Sequence, residues 1–113
     1  MAISKDRAAF TQLTASGTST ALDLSAAYRS SLYLRHSNGT GSVTGAAILT
    51  VQVKPSGGAM TSLAVVLASK TTSGVDHWVL ALPDDAASVQ VVYTAPTGAS
   101  GYTLDGEVGR LTA

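Results

Sequence analysis

The sequence predicts an all-β fold: an antiparallel β-sandwich of about seven strands, Ig-like or jelly-roll in topology. Three observations predict it. From Thr18 onward, apolar and polar residues alternate with the two-residue period of strands that bury one face. Breaks containing Pro and Gly separate these runs at the spacing typical of sandwiches and barrels. The composition is that of strands, with 28 Ser and Thr together among 113 residues and little Glu or Lys to disfavour them. A sheet with one buried face needs a second sheet to cover it.

Two regions are expected: an N-terminal arm over residues 1–17 and a single sandwich domain over residues 18–113. In the arm, "ISKDRAAFTQLTA" places Ile3, Phe10 and Leu13 near one helical face. A short helix and an extended segment both satisfy that spacing. Beyond it, "TALDL" sets Leu22 and Leu24 on one side, and "SSLYLRHS" aligns Leu32, Leu34 and His36 against Tyr33 and Arg35. "GAAILTVQVK" aligns Ala47, Leu49, Val51 and Val53. "TSLAVVLAS" is almost wholly apolar and reads as a strand buried on both faces. "DHWVLALP" aligns Trp78, Leu80 and Leu82, and Pro83 ends that ladder because it has no N–H to donate. "SVQVVYT" groups Val89, Val91 and Tyr93. "YTLDGEV" groups Tyr102, Leu104 and Val108, with Asp105 and Glu107 opposite.

Charge narrows the partners. Seven Lys and Arg balance seven Asp and Glu, and charged residues are only 12% of the chain. Nucleic-acid binding requires clustered cations to displace counterions from phosphates, and the cations here are scattered along the sequence, so neither DNA nor RNA is expected. No apolar run approaches the roughly 18 residues of a membrane span, and "MAISKDRAAF" lacks the apolar stretch of a signal peptide. A soluble protein made in a cytoplasm is the expectation. The absence of cysteine removes disulfides and thiolate metal sites.

No catalytic or cofactor motif survives its context. "SNGTGSVTGA" carries Gly39, Gly41 and Gly45, but a dinucleotide cradle needs G-x-G-x-x-G leading into a helix. Here the third glycine is one residue late and a strand follows. Asn38-Gly39 between two alternating runs is instead a hairpin signal. Asn38-Gly39-Thr40 is also formally a glycosylation sequon, which requires secretion to matter. Two histidines, His36 and His77, fall short of the three or four ligands of a zinc site, and both read as polar side chains at strand ends. "GASGY" misses the nucleophile elbow by spacing and by context. Asp84 and Asp85 follow a proline in a turn, where Asp bonds nearby backbone N–H groups; Asp105 and Glu107 share an outer strand face. Trp78 and Tyr93 lie in register with apolar neighbours and read as core rather than as a sugar platform. Enzymatic activity, cofactors and metal ions are therefore not expected.

Two segments carry a wider likeness: "SLYLRHSNGTGSVTGAAILTVQVKPSGG" and "WVLALPDDAASVQVVYTAPTGASGYTLDGEVGRL". With the short charged arm and near-zero net charge, they resemble the small auxiliary virion proteins of tailed bacteriophages, above all head decoration (cement) proteins. The resemblance implies a structural protein of the virion, made in the host cytoplasm, that binds and stiffens a lattice of major capsid protein or another virion protein, commonly as a homotrimer. On that reading Phe10 and Leu13 anchor the arm on a partner, and Asn38 and Gly39 form an exposed contact tip. Other virion positions (neck, tail or fibre base) and a carbohydrate- or cell-surface-binding sandwich are the alternatives.

Overall fold

The computed structural model describes residues 4–25 and 27–112. Among these residues nine strands form two antiparallel sheets: β1 (Ser4–Ala9), β2 (Gly17–Thr18), β3 (Leu22–Asp23), β4 (Ala27–Ser37), β5 (Ile48–Pro55), β6 (Thr61–Leu67), β7 (Val75–Ala81), β8 (Ala86–Thr94) and β9 (Thr103–Thr112). Sheet A has the order β1-β9-β4-β7; sheet B has the order β2-β8-β5-β6, with β3 also on the free side of β8. The short β2 and β3 act as one interrupted strand. The pairs are nested: β5 with β6, β4 with β7, β2 and β3 with β8, β1 with β9. A long hairpin wrapped in this way around two sheets is a jelly roll, which settles the topology that strand count left open.

The inward positions are those that the alternation marks. Leu32 and Leu34 from β4, Leu49, Val51 and Val53 from β5, Val89, Val91 and Tyr93 from β8, and Leu104 and Val108 from β9 are all buried between the sheets. Side chains of modest size suffice because the two inner faces interdigitate over the roughly 10 Å that separates packed sheets.

Three expectations are corrected. Residues 4–17 are part of the sandwich. Ser4–Ala9 pairs along its whole length with β9, Phe10 is buried in the core, and Leu13 exchanges two backbone hydrogen bonds of 2.9 Å with Leu104. Long-range pairing overrides the weak strand propensity of "SKDRAA". The β6 strand is not buried on both faces: it is the free edge of sheet B, and Val65 and Leu67 stand 60% and 64% exposed. The Asn38–Gly39 turn does not close a hairpin, since β4 belongs to sheet A and β5 to sheet B. Residues 38–47 cross between the sheets instead.

Candidate functional site

That crossing loop holds two of the residues singled out from the sequence. Asn38 is buried, and its Nδ2 donates to the carbonyls of Ser69 (2.8 Å) and Thr71 (2.9 Å), tying the crossover to the β6–β7 connection. Gly39 has φ 68°, and a Cβ there would lie 2.2 Å from the Ser100 carbonyl oxygen. Glycine is therefore demanded twice, by the left-handed conformation and by the close approach. Beyond it, Thr40 and Ser100 exchange backbone bonds of 2.8 Å, so the loop zips onto residues 95–102. Asn38 is a structural clamp with no surface to offer a partner, and the exposed tip is Thr40 to Ser42.

Phe10 and Leu13 likewise face inward. The Phe10 ring lies over Gly106, where a Cβ would come within 2.3 Å of it. Leu13 is half-buried against the core. Neither is an outward anchor, because sheet A already provides the apolar surface on which they dock.

The two histidines are separated by sheet A itself. His77 is exposed on the outer face opposite Arg35, whereas His36 is fully buried on the inner one. His36 is not the strand-end surface group expected from the sequence, although its alignment with Leu32 and Leu34 carried the signal. Its Nε2 lies 2.7 Å from the Tyr93 hydroxyl, which links β4 of sheet A to β8 of sheet B. Burial lowers the imidazole pKa from its ordinary 6.5, opposed in part by the charge of Asp76. Burial also raises the Tyr93 phenol above its ordinary 10. The pair is thus neutral, with one hydrogen shared between them. Asp76 accepts bonds from the Ser69 N–H (2.9 Å) and the Ser69 hydroxyl (3.0 Å). Among the described residues no three His, Asp or Glu side chains come together as a metal site.

The surface that offers most to a partner is the outer face of sheet B. Across β5, β6 and β8 its rows read Thr94–Ile48–Leu67, Val92–Thr50–Val65 and Gln90–Gln52–Ser62. Gln90 donates to Gln52 at 2.8 Å. Ile48, Leu63, Val65 and Leu67 are all exposed there, and Lys54 is the only charged side chain on the three strands. A bulge between Val51 and Gln52 sets Leu63 outside the register. The backbone groups along the outer side of β6 pair with no strand among the described residues. The signal for this surface was present in "TSLAVVL", an apolar run that periodicity cannot assign to a buried or an uncovered position.

No protein-family model matches the chain, and no curated protein matches it. Solved structures do share its fold. The SPBc2 prophage-derived protein YomS superposes with a TM-score of 0.55 at 17% identity, over 96% of this chain and 96% of that one. A chain from the disulfide-linked pili of Bacillus endospore appendages gives 0.52 at 18% identity, over 97% and 88%. A chain of infectious bursal disease virus, Gx strain, gives 0.54 at 13% identity; 98% of this chain covers 32% of that one. The β-sandwich is therefore one that proteins of phage and viral origin also use.

Proposed function

We propose that this chain is a non-enzymatic structural protein of a phage-type virion, held against neighbouring virion proteins through the outer face of sheet B. One observation carries the reading: an apolar strip, with Val65 and Leu67 60% and 64% exposed, runs along an uncharged free sheet edge. Covering such a face costs less desolvation than covering a charged one, because Lys54 is the only ion on its three long strands that would give up water. An uncovered edge strand of this kind is one that isolated proteins avoid. The jelly roll, which viral capsid domains use, and the fold shared with a prophage-derived protein support the same direction.

Within that class the protein acts as a head decoration (cement) protein on the major capsid lattice. Each contact can be modest, because the shell repeats it many times and avidity multiplies the total. A trimer is the expected state, with a mass in sedimentation three times the 11.4 kDa of one chain. Deleting residues 2–14 does not probe lattice contact, because it removes β1 and Phe10 from the fold itself. The informative variant is Val65→Lys with Leu67→Lys. Undecorated shells incubated with wild-type protein should acquire density on their surface in electron micrographs, and the double variant should leave them bare. Equal occupancy by both proteins would remove sheet B from the interface, and bare shells with wild-type protein would remove the capsid from the proposal.

A further inference from the structure

The outer face of sheet A has a different construction. Its outward residues form rows across the strands: Lys5–Leu111–Arg29, then Arg7–Gly109–Ser31–Ala81, then Ala9–Glu107–Tyr33–Val79, then Asp105–Arg35–His77. Tyr33 stands near the middle and is 46% exposed. It is the only aromatic presented this way among the described side chains: Phe10 and Tyr93 are buried, and Trp78 and Tyr102 pack on the core. The row on one side of it is built of small residues, Gly109, Ser31 and Ala81, while Glu107 and Val79 flank it in its own row. Its ring lies 3.7 Å from where a Cβ of residue 109 would sit, so Gly109 leaves the floor beside it open.

Two depressions result, with Tyr33 as their common wall. One, of about 430 Å³, is lined by Tyr33, Arg35 and Glu107 and by the apolar Phe10, Leu34 and Trp78. The other, of about 250 Å³, is bordered by Tyr33, Lys5, Arg7, Arg29 and Gly109, and by Asp6, which is paired with Arg110. Together they form a shallow trough that spans three row steps, about 20 Å at strand rise. Planar polar groups line it and hold one another in place. Arg7 pairs with Glu107 at 3.2 Å and Arg35 with Asp105 at 3.8 Å, while Gln12 Nε2 donates to Asp105 at 3.0 Å. Lys5 and Arg29, at one end, have no carboxylate partner within 4 Å among the described residues.

We infer that this trough binds an oligosaccharide lying across Tyr33, with an acidic sugar placed at the Lys5–Arg29 end. An extended peptide gains affinity by adding to a sheet edge or by dropping side chains into pockets. The trough lies over β9 and β4, whose backbone groups are already paired on both sides, so no strand can add there. A sugar ring needs neither. It presents an apolar face for the Tyr33 ring and a rim of hydroxyls that donate and accept at once. Carboxylates that only accept and guanidinium groups that only donate match that rim. Lys5 and Arg29, which have no carboxylate partner among the described residues, complement a uronate carboxylate at that end. This inference is independent of the sheet B interface, since the trough faces the opposite side of the sandwich.

The test is titration calorimetry with three probes of equal length: an oligogalacturonate, a neutral cello-oligosaccharide and inorganic polyphosphate. The oligogalacturonate should bind most tightly and polyphosphate should not compete with it. Tyr33→Ala should weaken binding at least tenfold and Tyr33→Phe should retain it, with both variants melting as the wild type does. Lys5→Ala with Arg29→Ala should lower the affinity for the acidic oligomer to that for the neutral one. Val65→Lys with Leu67→Lys, which addresses the other face, should leave all of these values unchanged. The inference is overturned if neither saccharide binds, or if Tyr33→Ala binds as the wild type does. Polyphosphate binding as tightly as the uronate would show a general anion surface instead, and equal binding of acidic and neutral oligomers would remove the acidic end.

Discussion

The two sheets share one core but differ outside. On sheet A the outward rows carry ion pairs, an exposed tyrosine and two cations that have no carboxylate partner among the described residues. On sheet B the corresponding rows carry hydroxyls, amides and aliphatic groups, with Lys54 and Asp23 at the two ends of one row. The inner faces are fixed by packing, whereas the outer faces are free to specialise because alternation decouples them from the core. Desolvating the charges of sheet A would be costly unless a ligand replaced their water group by group. Covering sheet B is cheap. On the proposed reading the faces divide the labour, with sheet B as the seat in an assembly and sheet A as the face left open to ligands.

The largest effect should come from breaking the construction of sheet A. β1 brings Lys5 and Arg7 to the outer face, and its attachment depends on Phe10 resting over Gly106. Replacing Gly106 by valine would place its Cβ about 2.3 Å from the Phe10 ring and 2.9 Å from Leu34. Overpacking on this scale should cost about 3 kcal/mol, read as a lower denaturant midpoint. Adding Phe10→Ala should recover part of the loss at this site, because the clash with the ring disappears and only the one with Leu34 remains. A cost below about 1 kcal/mol for Gly106→Val would mean that β1 is not pinned through Phe10.

A second test acts on the bond between the sheets. His36 is held neutral by burial, with its pKa below the ordinary 6.5. Between that lowered value and 6.5 the unfolded chain binds more protons than the folded one, so stability rises with pH across the window. The contribution is complete above 6.5 and is lost as the pH falls through the window toward the folded pKa. Thermal unfolding followed from pH 7 down to 5 should show a falling midpoint, and His36→Gln should flatten that slope. An unchanged slope in the variant would assign the acid sensitivity to the carboxylates. At the other end, the raised phenol pKa of Tyr93 predicts loss of stability above pH 10, where the unfolded phenol ionises and the folded one does not.

Much of this architecture was legible in the sequence, and the failures share one cause. Alternation identified the inward residues of β4, β5, β8 and β9, because a residue's face is a local property. It also aligned His36 with Leu32 and Leu34, although the residue type argued for a surface position. What alternation cannot carry is the identity of a strand's neighbour. "SKDRAA" becomes a strand only because β9 lies beside it. Asn38-Gly39 has turn chemistry and Gly39 the expected positive φ, but β5 goes to the other sheet. "TSLAVVL" reads as doubly buried because an uncovered apolar face and a covered one have the same composition. The trough around Tyr33 has no sequence motif, since its residues come from β1, β4, β7 and β9 and meet only through register.

The smallest effects bear most directly on the contrast between the faces. Arg7 and Glu107 form an exposed ion pair on sheet A, with side chains 78% and 40% accessible. A double-mutant cycle on that pair should give a coupling of about 0.5 kcal/mol, fading at about 1 M salt, where the screening length falls to roughly 3 Å. On sheet B, Val65→Lys should change stability by less than about 0.5 kcal/mol, because a side chain 60% exposed has little packing to lose. A charge on the free edge should nevertheless reduce self-association at high protein concentration. The two measurements constrain each other. If the ion pair couples weakly and the lysine is tolerated, neither outer face contributes much to holding the fold, and both surfaces are available for binding. If Val65→Lys costs more than about 1 kcal/mol in the monomer, Val65 is packed rather than uncovered, and sheet B loses its claim to be the assembly face while the trough on sheet A keeps its own.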